Sequence, residues 1–299
     1  MTEDFSRRNF LGLVASTLVA CTLRPKRIAH SDQDLAEIEE HIGGRLGVYA
    51  LATDSGVTMS YRENELFALC STFKWALVAY VLQKVDEHQL TLEQEIGYST
   101  ADLLEYAPIT RKNVGQGRMT VRELSEAAVT VSDNTAANLL LRCAGGPSAL
   151  TRFFRSHGDS VTRLDRNEPT LNANTRGDTR DTTSPKAMAN LMRAVLTTTV
   201  LSPGSQKLLL GWMVASQTGM QRVRAGLPST WKAGDKSGTG NHGAVNDVVI
   251  AWPPNRAPVL VAVYMSESWS FESTLLSAHR DIGRIIGERL GMSPSGNTI

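Results

Sequence analysis

Cysteine is scarce and unpatterned. Cys21, Cys70 and Cys143 are the only three, and none stands in a Cys-x-x-Cys pair. An odd count in an exported protein leaves one thiol to be explained. The six histidines never form a His-x-x-x-His pair, so no metal site is expected. Aromatic residues make up 6% and are scattered, too few for base-stacking platforms. The net charge of +1 with 20% charged residues offers a polyanion nothing, and no nucleic-acid partner is expected. The Gly-x-x-x-x-Gly-Lys frame of a phosphate loop is missing, and no cofactor is implied. No Gly-x-Ser-x-Gly elbow surrounds any serine, which disfavours a Ser-His-Asp esterase. There is no internal repeat and no low-complexity tract.

The N-terminus does carry a pattern. Arg7-Arg8 precede Phe10-Leu11 and an apolar stretch through Ala20 that is too short to span a bilayer. Residues 1–21 therefore read as a twin-arginine signal peptide, with export to the periplasm or cell envelope. The ending Leu18-Val19-Ala20-Cys21 resembles a bacterial lipoprotein processing site, so Cys21 is a candidate for lipidation and membrane attachment. Residues 22–30, TLRPKRIAH, are polar and basic and read as a tether.

From Ser31 the periodicity is that of a folded domain. A helix is predicted over Asp32–Ile42, followed by strands Leu46–Ala52 and Val57–Tyr61 around an Asp-Ser-Gly turn. Residues 71 to about 215 are mostly helical, and Ser71–Val85 is apolar nearly all round, as a buried helix must be. Strands return at Trp231–Ser237, Val245–Trp252 and Val259–Tyr264, before an amphipathic helix over Glu272–Leu290. Strands at both ends form one five-stranded antiparallel sheet only if the ends meet. The expected class is α/β plus all-α. Residues 31–67 and 216–292 would form a discontinuous α/β domain flanked by the terminal helices. Residues 68–215, including loop 163–181, would form an inserted helical lobe.

Four short stretches carry candidate chemistry. Ser71-Thr72-Phe73-Lys74 sets a hydroxyl and an amine on one helical face. A serine needs a proton acceptor to attack a carbonyl, and a desolvated lysine can become one. Ser132-Asp133-Asn134 offers a proton-relaying hydroxyl and a carbonyl-binding amide, or simply a helix N-cap. Lys236-Ser237-Gly238-Thr239-Gly240 presents a cation and two hydroxyls to a carboxylate. The aperiodic loop from Arg163 contains Glu168 and Asn172, a pair able to hold a water.

Together, Ser71-x-x-Lys74, Ser132-Asp133-Asn134, Glu168-Pro169-Thr170-Leu171-Asn172 and Lys236-Ser237-Gly238 resemble the motif set of the class A serine β-lactamases, in order and in separation. The resemblance runs from about residue 31 to 292. It implies β-lactam antibiotics as substrates, hydrolysed through a Ser71 acyl-enzyme, with antibiotic resistance as the outcome. The backbone N–H groups of Ser71 and Thr239 would form the oxyanion hole. Lys74 or Glu168 would be the acylation base, and Glu168 with Asn172 would hold the deacylating water. Ser132 would pass a proton to the lactam nitrogen. Lys236, Ser237 and Thr239 would receive the substrate carboxylate, and Asn134 the side-chain amide. Tyr106 matches the family's aromatic gate, and Arg166 with Asp181 the ion pair at the loop neck. A monomer is expected.

Two departures stand out. The position of a common carboxylate-binding arginine is Val245, so Arg222 takes that role, with Arg224 close by. In a carbapenem-hydrolysing subgroup the cysteine before the nucleophile is disulfide-bonded, but here the counterpart of Cys70 is Gly240, which leaves a buried free thiol. A penicillin-binding DD-peptidase or a covalent β-lactam sensor shares the serine and lysine logic but lacks the Glu168-x-x-x-Asn172 pair.

Overall fold

The computed structural model describes residues 31–291. The signal-peptide and lipidation expectations, Cys21 included, lie outside those residues.

The chain opens with α1 (Ser31–Ile42) and the hairpin β1 (Arg45–Ala52) and β2 (Thr58–Tyr61), then β3 (Phe67–Ala68). Helix α2 (Phe73–Asp86) follows, then β4 (Glu95–Gly97), α3 (Pro108–Asn113) and β5 (Arg118–Thr120). The helices α4 (Val121–Thr130), α5 (Asn134–Ala144) and α6 (Gly146–Ser156) come next. After the long loop stand β6 (Thr182–Thr183), α7 (Pro185–Leu196) and α8 (Pro203–Val214). The chain closes with β7 (Lys232–Thr239), β8 (Val245–Trp252), β9 (Val259–Ser266) and α9 (Glu272–Leu290).

The ends do meet. Strand β1 pairs with both β2 and β9, giving one antiparallel sheet in the order β2-β1-β9-β8-β7. Its residues alternate between two cores, as the period of two demands. Leu46, Val48 and Ala50 of β1 and Val259, Val261 and Val263 of β9 pack with α1 and α9. Tyr49 and Leu51 of β1 and Leu260, Ala262 and Tyr264 of β9 face the helices instead. The fold class expected from the sequence, an antiparallel sheet with terminal helices and a helical lobe, is the observed one. The small pairs β3–β6 and β4–β5 were not expected, being too short to leave a period.

Local signals placed several helices. Thr120 accepts from Glu123 N while Glu123 accepts from Thr120 N, a reciprocal capping box at the start of α4. Ser184 caps α7 ahead of Pro185. Helix α2 is the correction. It begins at Phe73 rather than Ser71, because Cys70–Thr72 form a separate 3-10 turn with Cys70 at φ +45°. The nucleophile candidate thus sits just before the helix, not on it.

Candidate active site

Ser71 is fixed by its neighbours. Thr72 Oγ1 donates to Leu69 O over 2.7 Å and lies 3.1 Å from the Tyr264 hydroxyl on β9, and Leu69 N donates to Asp181 O. Lys74, in the first turn of α2, is fully buried. Its Nζ donates to Ser132 O at 2.9 Å, to Asn134 Oδ1 at 2.5 Å and to Ser132 Oγ at 3.3 Å. Lys74 Nζ also lies 2.9 Å from Glu168 Oε1, and both side chains are sealed from solvent. Burial pulls the Lys74 pKa down, and the Glu168 carboxylate opposes that pull.

Asp133 shows that the capping and chemical readings of Ser-Asp-Asn are one device. Its carboxylate caps α5 at Ala136 N and also accepts from Ile109 N and Thr110 N. That clamp holds Ser132 at φ +61°, a left-handed conformation costly for a serine. The hydroxyl so placed accepts from Lys236 Nζ at 3.0 Å as well as from Lys74. Lys236 faces Val248 across the β7–β8 ladder, and Val248 belongs to the core on the helical side. A slip of one residue would turn Lys236 to the other face. Burial and the adjacent Lys74 charge bring its pKa down to about 7.

The long loop delivers Glu168 through its own framework. Asp181, fully buried, accepts from Arg166 Nε at 2.5 Å and from the backbone N–H groups of Asp165 and Arg166. Asn138 of α5 grips the Glu168 peptide from both sides, accepting from its N–H at 3.0 Å and donating to its carbonyl at 2.9 Å. The carboxylate then accepts from Ser71 Oγ at 3.0 Å and from Asn172 Nδ2 at 2.6 Å. Asn172 Oδ1 is a buried acceptor with no protein donor, suited to a hydroxyl donor between it and Glu168. Asn138 was missed in the sequence. The signal was there, since it stands four residues beyond Asn134 on one helix face.

On the β7 side, Ser237 Oγ donates to Thr218 Oγ1 at 2.6 Å. Arg222 donates to Thr239 Oγ1 at 2.8 Å and to the carbonyls of Gly238 and Asn246, whereas Arg224 turns away to the buried Asp235. Ser71, Tyr106, Ser132, Asn134, Asn172, Arg222, Ser237 and Thr239 line one cleft of about 330 Å³, with Lys74, Glu168 and Lys236 bonded directly behind it. Thr218 joins that lining and was also missed. Cys70 is a free, buried thiol, and burial next to Glu168 pushes it up to about 12.

A hydroxyl, two buried lysines and a sealed carboxylate converging on one cleft define a serine hydrolase of the acyl-transfer type. The model of the "Beta-lactamase enzyme family" matches residues 30–290. A β-lactamase of Streptomyces albus G is 41% identical over 311 residues, covering 97% of this chain and 99% of the relative. A carbapenem-hydrolysing β-lactamase, KPC, of Klebsiella oxytoca is 44% identical over 233 residues, covering 78% and 79%. The solved class A β-lactamase of the last common ancestor of Gram-negative bacteria superposes with a TM-score of 0.86 at 52% identity, covering 88% of this chain and all of that one. The chain belongs to the β-lactamase enzyme family, in class A. It hydrolyses the β-lactam amide bond and so confers antibiotic resistance.

Proposed function

We propose that hydrolysis runs through an ester on Ser71, with roles divided as follows. Ser71 Oγ attacks the lactam carbonyl, and the amide C–N bond breaks as the ester forms. Glu168 and Lys74 share the task of taking the Ser71 proton, since one carboxylate oxygen touches both groups. Ser132, bonded to both lysines, hands a proton to the departing nitrogen. The backbone N–H groups of Ser71 and Thr239 stabilise the oxyanion, charge that exists only in the transition state. Lys236, Ser237, Thr239 and Arg222 take the substrate carboxylate, and Asn134 takes the side-chain amide. Tyr106, half exposed at the cleft edge, closes over the bound ring system. Glu168 and Asn172 hold the water that cleaves the ester.

The observation that carries this reading is the double contact of Glu168, with Ser71 on Oε1 and Asn172 on Oε2. A DD-peptidase or a covalent sensor has no use for that pair. The test is the mass of Glu168→Ala after mixing with benzylpenicillin. A persistent penicilloyl adduct on Ser71 is expected, and an unmodified protein with no turnover would overturn the scheme. The same enzyme is proposed to act as a monomer after twin-arginine export, held at the cell envelope by lipid on Cys21. Palmitate labelling that persists in Cys21→Ala would sink the anchor. Carbapenems are a further proposed substrate class only through the likeness to KPC; the subgroup disulfide is ruled out by Gly240.

A further inference from the structure

Trp269 and Phe271 are 88% and 85% exposed, the two most exposed large hydrophobic side chains among the described residues. Standing two positions apart in the β9–α9 loop, they form one patch rather than scattered exposures. The loop beneath them is held firmly. Ser268 Oγ and Ser270 Oγ both donate to Ile42 O, and Glu267 N donates to His242 O at 2.7 Å. Neither aromatic contributes to the catalytic cleft.

The surroundings favour a bilayer as the occupant. Glu267 leads from the loop to Arg176, 3.6 Å away, whose side chain is 89% exposed. The adjoining groove carries four arginines, Arg45, Arg166, Arg176 and Arg180, against the carboxylates of Glu65, Glu267 and Asp178. Cations beside exposed Trp and Phe are the chemistry of an anionic lipid surface. Chain length agrees. The loop packs on Ile42 at the far end of α1, about 18 Å from Ser31 by helical rise. Cys21 lies ten residues before Ser31, a reach of about 33 Å when extended. The intervening Arg24, Lys26 and Arg27 are themselves basic.

We infer that Trp269 and Phe271, with Arg176 and Arg180 beside them, form a docking face that seats the enzyme on anionic phospholipid while the tether holds it there. The inference rests on the reading of Cys21 as the acylated residue. Tethering turns docking into an intramolecular event, so a face of two aromatics suffices.

The test uses the full chain produced in a bacterial host and reconstituted into phosphatidylethanolamine–phosphatidylglycerol vesicles whose acyl chains are brominated. Palmitate incorporation reads acylation, and bromine quenching of tryptophan emission reads docking. Trp269 is one of five tryptophans, so quenching of about one-fifth of the emission is expected. It should vanish in Trp269→Ser and shrink in phosphatidylcholine. Palmitate without quenching overturns docking and leaves the anchor standing. Quenching without palmitate upholds the docking face and assigns the anchor elsewhere, and neither signal overturns both. A dimer dispersed by Trp269→Ser/Phe271→Ser would give the patch to a second copy and overturn the proposal. The double variant should keep parental nitrocefin turnover in solution.

Discussion

Ser71 and Glu168, 97 residues apart in sequence, share a direct hydrogen bond of 3.0 Å. Lys74 Nζ meets the same carboxylate oxygen at 2.9 Å. A proton leaving Ser71 therefore has two acceptors arranged around one atom. Burial that disfavours the Lys74 cation and a carboxylate that favours it are set against each other there.

Asn138 is expected to govern deacylation without touching substrate. Its two bonds fix the Glu168 peptide, so Asn138→Ala should loosen the carboxylate that activates water. Deacylation should slow by about 10–100-fold, with a smaller effect on acylation. Stopped-flow burst kinetics with nitrocefin separate the steps; equal slowing of both would count against this role.

Lys236 should impose an alkaline limb on kcat/KM. Its pKa is brought down to about 7 by burial and by Lys74, so the cation that receives the substrate carboxylate is present below that pH and lost above it. Bound carboxylate favours the cation, which moves the corresponding limb of kcat to higher pH. Lys236→Arg keeps its charge at all working pH values and should flatten the limb. An unmoved limb in that variant would assign it to another group.

Asp181 should matter for stability as much as for turnover. Its carboxylate closes the loop by binding the Arg166 side chain and two backbone N–H groups. Asp181→Ala strands those donors, at a cost toward the lower end of about 3–5 kcal/mol, because Arg166 retains some solvent. Urea denaturation reads the loss, and a change under about 1 kcal/mol would show that the loop is held by other means.

Gly240 borders the one buried thiol beside the nucleophile. A Cβ built there would lie 2.6 Å from Cys70 Sγ and 2.8 Å from Asn172 O. Gly240→Cys should therefore bridge to Cys70 under oxidising refolding. Thiol titration in denaturant should read one thiol fewer than in the parent; one thiol more would refute the pairing. With glycine in place, Cys70 stays a protonated, inert thiol.

Much of this site was legible because each motif is local. Ser71 and Lys74, or Ser132 and Asn134, are set by spacing within a few residues, and the helix caps at Thr120 and Ser184 follow from side chains next to the helices they start. What the periodicity could not give was the break between Ser71 and α2. A 3-10 turn shares the helical spacing and differs only in backbone angles held by contacts to Leu69 and Tyr264. The choice of Arg222 over Arg224 was also beyond spacing, since it depends on which arginine finds the buried Asp235.

By itself the sequence determined the chemical groups and the alternating faces of the strands, because residue type and period are properties of a short segment. The tertiary structure decided which groups share a proton. Lys74, Ser132, Glu168 and Lys236 come from four separate segments, and only the packing of the helices against the sheet sets them about 3 Å apart and seals out water. That sealing gives the lysines their lowered pKa values, since desolvation is a property of the closed core and not of any stretch of chain.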